Sequence, residues 1–340
     1  MTSSSAEGPA ERVTIVVPVY NRAGRLLSEA LDSVLSQDHP NLEVLAIDDG
    51  STDETPQVLA AYAERHPGRF RWTQQENRGQ AATLNRGLEM AEGPLLGYLS
   101  SDDILLPGAV SRLAAELEQN PDAVLAYPAY QVIDETGEVI DTMAPPEYSR
   151  VESVRLQDTI VGPGALFRAE AVRRAGPLRT DLRYLADKEL WLRLSQVGPF
   201  VRVAEPLACW RRHGGALTVA EQGREMAEER LRILDSLYAE DHEPELDAVR
   251  DQAYRNALVL SATVIAPGFN DPGERYFVVD GHAQEVSAAA GERSTAAKLA
   301  AAREVIAELR QDNERLRAEV RNPLRAIARR VRQRRSGAPT

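Results

Sequence analysis

Two pairs of adjacent carboxylates, Asp48-Asp49 and Asp102-Asp103, stand where short apolar runs stop. Leu42-Glu-Val-Leu-Ala-Ile47 runs into Asp48-Asp49-Gly50-Ser51-Thr52-Asp53, and Leu95-Leu-Gly-Tyr-Leu99 runs into Ser100-Ser101-Asp102-Asp103. Adjacent carboxylates repel one another unless a cation or donor groups compensate. Hard cations such as Mg²⁺ and Mn²⁺ take carboxylate oxygens and share their remaining positions with phosphates. The chemistry suggested is therefore a divalent metal with a phosphorylated ligand. Carboxylates beside a base N–H or ribose hydroxyls would also accept hydrogen bonds. Two further clusters add to this. Asp187-Lys-Glu189 opens an apolar helical pattern, where a carboxylate is favoured by the helix dipole and can also serve as a general base. Trp210-Arg-Arg-His-Gly-Gly215 gathers two guanidiniums and an imidazole, groups that bind phosphate and metal. Each cluster alone has a plainer reading. Asp-Gly and Ser-Thr-Asp make turns and caps, with Thr52 or Asp53 capping the next helix. One of Asp102 and Asp103 would cap a helix begun by Leu105-Leu-Pro107, and arginine pairs are common on surfaces.

The elements that must position these groups follow from periodicity. Val13-Thr-Ile-Val-Val-Pro-Val-Tyr20, ending at Asn21, and the two runs above read as buried parallel strands. Phe70-Arg-Trp72 reads as another. Between them, Leu26, Leu27, Ala30, Leu31, Val34 and Leu35, then Val58, Leu59 and Tyr62, then Gln80 to Ala91, keep helical spacing. The alternation β-α-β-α-β-α-β predicts an α/β fold with a mostly parallel, Rossmann-like sheet flanked by helices. In such open sheets ligands bind beyond the carboxyl ends of the strands, where the acids stand. A helix from Pro107 to Gln119, a strand from Ala123 to Tyr127, a hairpin around Asp134-Glu-Thr-Gly137 and a helix from Lys188 to Gln196 follow. Val161-Gly-Pro-Gly164 is a turn that would shape an acceptor edge of the cleft.

The chain has 340 residues and a net charge of −12, with 43% hydrophobic and 27% charged residues, values of a soluble globular protein. One cysteine, Cys209, excludes an internal disulfide framework and fits a reducing compartment. No secretory leader is visible and no apolar run spans a bilayer, so a cytoplasmic location is expected. The charge is uneven. Residues 321–340 hold seven Arg and no acid, and the rest carries −19. Such a body repels nucleic acid, so none is expected as a partner.

The expected organisation is a disordered N-terminus over 1–11, a catalytic domain over 12–218, a helical accessory region over 219–295, a coiled-coil helix over 296–320 and a basic amphipathic tail over 321–340. Leu299, Ala302, Ile306, Leu309, Asn313, Leu316 and Val320 form a heptad seam through which a homodimer would form over 299–320, or which packs on its own domain. Residues 321–335, with Leu324, Ile327 and Val331 on one face and arginines flanking it, suit an anionic membrane surface. That would make the protein peripheral on the inner face of the cell membrane.

In order along the chain, Pro18-Val-Tyr-Asn21, Ile47-Asp-Asp-Gly-Ser-Thr-Asp53, Asn77-Arg-Gly79, Asn85-Arg-Gly87, Leu99-Ser-Ser-Asp-Asp103, Asp187-Lys-Glu-Leu-Trp191 and Arg211-Arg-His213 resemble the family 2 glycosyltransferases with the GT-A fold. The resemblance covers about 12–218. It implies that Pro18, Tyr20 and Asn21 border the nucleotide and that Asp49 contacts the base with Asp48 beside it. It places Asn85, Ser100 and Ser101 in the donor site and Asp102 as the metal-binding acid of an Asp-x-Asp motif. Asp187 becomes the catalytic base, His213 a metal or diphosphate contact, and Arg211 or Arg212 a phosphate partner. Three departures stand out. Ser100 replaces the first Asp of Asp-x-Asp, Ala186 the usual Glu before the base, and Thr83-Leu84 the usual Ala-Arg, leaving Arg78 or Arg86 as the nearby cation. The implied activity is inverting, Mg²⁺- or Mn²⁺-dependent transfer from a UDP- or dTDP-type nucleotide sugar to a saccharide or lipid-linked saccharide in cell-surface glycan synthesis. A non-catalytic nucleotide-sugar-binding or scaffold subunit is the alternative that Ser100 and Ala186 favour. A sugar-1-phosphate nucleotidyltransferase would want more glycine in Asn21-Arg-Ala-Gly-Arg25 than its one.

Overall fold

The computed structural model describes residues 10–213, 223–265, 275–279 and 282–286. Residues 1–9, the 299–320 seam, the 321–335 basic segment and most of 266–295 lie outside them. Contacts divide the chain into two units, residues 1–220 with 228–253, and residues 221–227 with 254–340.

In the first unit, β1 (Val13–Val19) pairs in parallel with β2 (Leu42–Asp48), β2 with β3 (Phe70–Gln74), and β1 with β4 (Leu95–Tyr98). All seven residues of β1 and of β2 are buried. That is why these strands read as continuous apolar runs: a parallel strand is covered on both faces. Right-handed crossovers need intervening helices, supplied by α1 (Arg25–Leu35), α2 (Thr55–Arg65) and α3 (Gln80–Met90). The buried side of α1 is Leu27, Ala30, Leu31, Val34 and Leu35, one stripe at helical spacing.

Beyond β4 the sheet changes character. Its strand order is β3-β2-β1-β4-β8-β6-β9-β5, with β7 beside β6. The members are β5 (Ile104–Leu105), β6 (Leu125–Ile133), β7 (Val139–Met143), β8 (Leu166–Arg168) and β9 (Phe200–Arg211). β8 runs antiparallel to both β4 and β6, β5 antiparallel to β9, and β6 parallel to β9. The hairpin expected around Asp134–Gly137 joins β6 to β7. The strand expected to end at Tyr127 continues to Ile133, because β9 pairs with it along that length.

The helix expected to begin at Leu105 does not. Ile104 and Leu105 pair with Cys209 and Ala208, and α4 (Ala109–Gln119) starts only after Gly108, which adopts a left-handed conformation. Asp102 and Asp103 are therefore not its caps. The N-cap of α2 is Glu54 rather than Thr52 or Asp53; Asp53 instead accepts from the Thr55 and Ala23 N–H groups. Helices α5 (Arg150–Leu156), α6 (Ala169–Ala175) and α7 (Ala186–Val197) complete the 149–212 stretch. The region expected to be helical over 219–295 contains α8 (Gly223–Ala239) and α9 (Pro244–Ile265), with Ile233 and Leu234 in the core. In the second unit, β10 (Arg275–Val279) and β11 (His282–Val286) pair antiparallel, so the region expected to be helical contains strands as well.

Candidate active site

Three loops meet at the carboxyl ends of β1, β2 and β4. The one after β1 turns at Asn21, whose φ is 45°, a conformation asparagine tolerates. Its amide oxygen accepts from the Thr52 N–H at 2.8 Å, and its own N–H donates to the Ser51 hydroxyl at 2.8 Å. The loops after β1 and β2 are thereby latched together. Tyr20, 49% exposed, stands at the rim, whereas Pro18 is buried inside β1 opposite Ile47.

The two acids after β2 are buried and serve different ends. Asp48 accepts from the Ser51 N–H and the Gln74 amide. Asp49 Oδ1 accepts from the Gln75 amide and the Arg78 N–H, each at 2.8 Å, and Oδ2 from the Gly79 N–H at 2.8 Å. A carboxylate offers about four lone-pair sites, so Asp49 keeps room for roughly one more donor, such as a base N–H. The turn holding it needs Gly50. Its φ is 76°, and a Cβ there would sit 2.8 Å from the Asn77 nitrogen. The segment fixed by Asp49 walls a cleft of about 590 Å³ lined by Gln75, Arg78, Asn85, Arg86 and Thr180. Asn85 does not open into it as a simple ligand. Both ends of its amide grip the Leu178 backbone, accepting its N–H at 2.8 Å and donating to its carbonyl at 2.9 Å. Arg86 donates to Gln74, Gln75 and Thr73 along β3.

At the end of β4, Asp102 Oδ2 lies 3.0 Å from His213 Nε2. Residues 111 positions apart thus converge on one point, with side chains 14% and 8% exposed. A carboxylate oxygen and an imidazole nitrogen so aimed suit a hard cation that takes its other ligands from water and phosphate. Among the described residues no cluster of three or more His, Cys, Asp and Glu is arranged to hold a metal. Ser101 is buried in the same turn, and Ser100 supports it by hydrogen-bonding Asp103.

Arg211 has a different place from the one expected of a phosphate partner. Its guanidinium is fully buried. Nη2 pairs with Glu29 at 2.6 Å, Nε donates to the Asp102 carbonyl at 2.9 Å and Nη1 to the carbonyls of Asp134 and Glu135. Its backbone N–H donates to Asp103 Oδ1 at 2.9 Å. Arg211 therefore braces the Asp102 turn from behind, and the exposed neighbour Arg212 is left as the phosphate candidate. Asp103 is buried beside it. Burial first, and the Asp102 charge next, push its carboxyl up to about 8.

In the unfolded chain Asp103 titrates near the usual ~3.9. The folded form then holds a proton that the unfolded form has lost. That contribution to stability is complete below about pH 4 and is lost as pH rises through about 8. In metal-free buffer the wild type should lose more melting temperature between pH 6 and 9 than Asp103→Asn, which stays neutral and can still accept from Arg211. Parallel melting curves for the two proteins would refute this.

Asp187 lies in the first turn of α7. Tyr98, the last residue of β4, donates its hydroxyl to Asp187 Oδ2 at 3.1 Å, and the Lys188 N–H donates to Oδ1 at 2.7 Å. Burial raises this carboxyl above the ordinary range, against those two hydrogen bonds, which lower it. The Tyr98 and Trp191 rings stack at 6.3 Å. Tyr98 thus ties the carboxylate to the same strand end that carries Asp102.

Several residues with parts in this site had not been singled out for it. Glu29 holds Arg211, Arg22 pairs with Asp102, Tyr98 holds Asp187, and Glu229 of α8 accepts from the N–H groups of Arg183, Tyr184 and Leu185 at 2.6–3.0 Å. Glu229 steadies the loop that delivers Asp187; Arg193 does the same by donating to the carbonyls of Ala175, Gly176 and Pro177. Tyr98 was findable as the last residue of an apolar run facing the carboxyl edge. Glu229 has no local signal. The turn Val161–Gly164 packs onto β9, where the left-handed Gly164, φ 84°, leaves 2.9 Å between a notional Cβ and Ala208.

Residues 14–174 match the family profile described as Glycosyl transferase family 2. A glycosyltransferase of Nostoc sp. (strain PCC 7120) is 30% identical over 212 residues, covering 60% of this chain and 65% of that protein. The chondroitin synthase of Escherichia coli is 31% identical over 205 residues, 59% of this chain and 29% of that one. The chain thus spans less than two thirds of either relative. Among solved structures, S. aureus TarS in complex with UDP-GlcNAc superposes with a TM-score of 0.58 at 17% identity, covering 75% of this chain and 82% of that one. The mannosyltransferase PcManGT from Pyrobaculum calidifontis, in complex with GDP-Man and Mn²⁺, gives 0.56 at 18% identity, with 93% and 82% covered. The fold is the GT-A arrangement of a mostly parallel sheet flanked by helices, and the segment from β1 into α6 belongs to glycosyl transferase family 2.

Proposed function

We propose that the chain is an inverting glycosyltransferase that moves a sugar from a nucleotide-diphospho-sugar to a hydroxyl of a saccharide or lipid-linked saccharide. The observation that carries this reading is the junction at β4. Tyr98 at its end holds Asp187, and four residues later Asp102 meets His213. This supports reading Asp187 as a proton acceptor and Asp102 with His213 as a diphosphate-binding pair at one strand end.

Asp187 accepts the proton of the acceptor hydroxyl as that oxygen attacks the anomeric carbon from the face opposite the diphosphate. The bond from that carbon to the diphosphate oxygen breaks, inverting the configuration. Burial raises the affinity of Asp187 for protons, which favours it as the acceptor of the hydroxyl proton. Arg212 and His213 meet charge on the departing diphosphate, and the spare acceptor capacity of Asp49 reads the base. Asp102 and His213 would hold the Mg²⁺ or Mn²⁺, which when bound supplies positive charge at the leaving group. The Mn²⁺ and nucleotide sugars in the structural neighbours, and the name of the E. coli relative, support this assignment. No described helix is long and apolar enough to cross a membrane. We assign membrane contact to residues 321–335 and dimerisation to 299–320.

The test is a panel of UDP-, dTDP- and GDP-sugars with and without Mn²⁺, read by melting temperature and by release of free sugar. A ligand at 100 times its Kd stabilises the fold by about 2.7 kcal/mol, so one nucleotide class should raise the melting point and be slowly hydrolysed. Binding without hydrolysis or transfer by any donor would assign the chain to the non-catalytic alternative.

A further inference from the structure

Arg22 also reaches the acidic end of β4. Its Nη2 lies 3.3 Å from Asp102 Oδ2, the same oxygen that meets His213. The backbone beneath it is fixed by side chains of the neighbouring loop. The Arg22 N–H donates to the Thr55 hydroxyl at 3.0 Å, the Ala23 N–H to Asp53 at 3.0 Å, and Asn21 is latched to Ser51 and Thr52. The side chain itself is 25% exposed, and its buried Nε has no hydrogen-bond partner. The side chain is thus anchored at its base, unsatisfied at Nε and partly exposed.

A divalent cation on Asp102 would compete with this partner for the same carboxylate oxygen. A hard cation held by that carboxylate would set two positive charges beside a third. The guanidinium must then leave or find a new anion. Under the donor reading the anion that arrives with the cation is a diphosphate, whose oxygens match a guanidinium's paired N–H groups. We propose that Arg22 is a built-in counter-ion for Asp102, which yields that carboxylate to the divalent cation and turns onto the diphosphate of the nucleotide sugar. This inference rests on the donor-site reading above. Arg22 opposes the cation when no nucleotide is present and favours the nucleotide once the cation is bound. It therefore makes the two ligands mutually dependent, as coupled binding requires.

Opposite signs make the test decisive. Titration calorimetry on the full chain measures Mn²⁺ alone, and then UDP, dTDP and GDP at saturating Mn²⁺. Arg22→Gln keeps a polar stem without charge. It should bind Mn²⁺ up to about five-fold more tightly, the scale of a partly exposed ion pair. It should bind the nucleoside diphosphate about 10–100-fold more weakly, the scale of lost hydrogen bonds between charged groups. Arg22→Lys keeps the charge, so its Mn²⁺ affinity should stay near wild type; a Lys variant that behaves like Gln overturns the counter-ion role. Unchanged nucleotide affinity in Arg22→Gln overturns the proposal while leaving the donor reading intact. If wild type binds none of the three nucleotides with Mn²⁺, the donor reading falls and the proposal with it.

Discussion

Asp187→Asn should bind donor like the wild type and transfer sugar about 10²–10⁴-fold more slowly, the usual contribution of a positioned proton acceptor. The substitution is nearly isosteric. The amide oxygen can still accept from the Tyr98 hydroxyl or the Lys188 N–H, so α7 and the Tyr98–Trp191 stack should persist. What it loses is the ability to take a proton. Steady-state kinetics with the donor found by the panel would separate a fall in kcat from a change in KM. Transfer near the wild-type rate would remove Asp187 from the mechanism. The wild-type pH profile gives a second reading. A protonated Asp187 cannot act as base, so activity should fall as pH drops through its raised pKa, and the acid limb should lie above the ordinary carboxylate range. Tyr98→Phe removes a hydrogen bond that favours the anion, which should move this limb further up.

Asp102→Asn should cost about 10²–10³-fold in transfer, several kcal/mol of stabilisation lost from the leaving diphosphate. Mn²⁺-dependent binding of nucleoside diphosphate should weaken with it. The fold should tolerate the change, because Arg211 braces this turn through the Asp102 carbonyl and the Asp103 carboxyl rather than through the Asp102 carboxylate. Circular dichroism and melting temperature close to wild type, with Mn²⁺ binding lost, is the expected pattern. Full activity with a chelator present, in wild type and variant alike, would assign leaving-group stabilisation to the cationic side chains alone.

The parallel half of the sheet was legible in the sequence because its strands are buried on both faces. Val13–Val19 and Leu42–Asp48 needed no alternation to be recognised. The antiparallel half was not. β5 is two residues long and exists only because Cys209 and Ala208 lie beside Ile104 and Leu105, a pairing no local pattern encodes. Without it, Leu105-Leu-Pro107 reads as a helix start.

The chain's residue types and order determined where the chemistry would lie. A carboxylate after a buried parallel strand must emerge at the carboxyl edge, and that consequence of strand direction holds for Asp49 and Asp102 whatever else surrounds them. Tertiary structure alone decided which charged groups face the cleft. Arg211 and Arg212 are adjacent and alike in sequence. Arg211 closes β9 and is buried against Glu29, whereas Arg212 lies just past the end of the strand and is exposed. Arg22, Glu29 and Glu229 carry no motif. Their partners lie 80, 182 and about 45 residues away, at distances in space that only long-range strand pairing and helix packing could set.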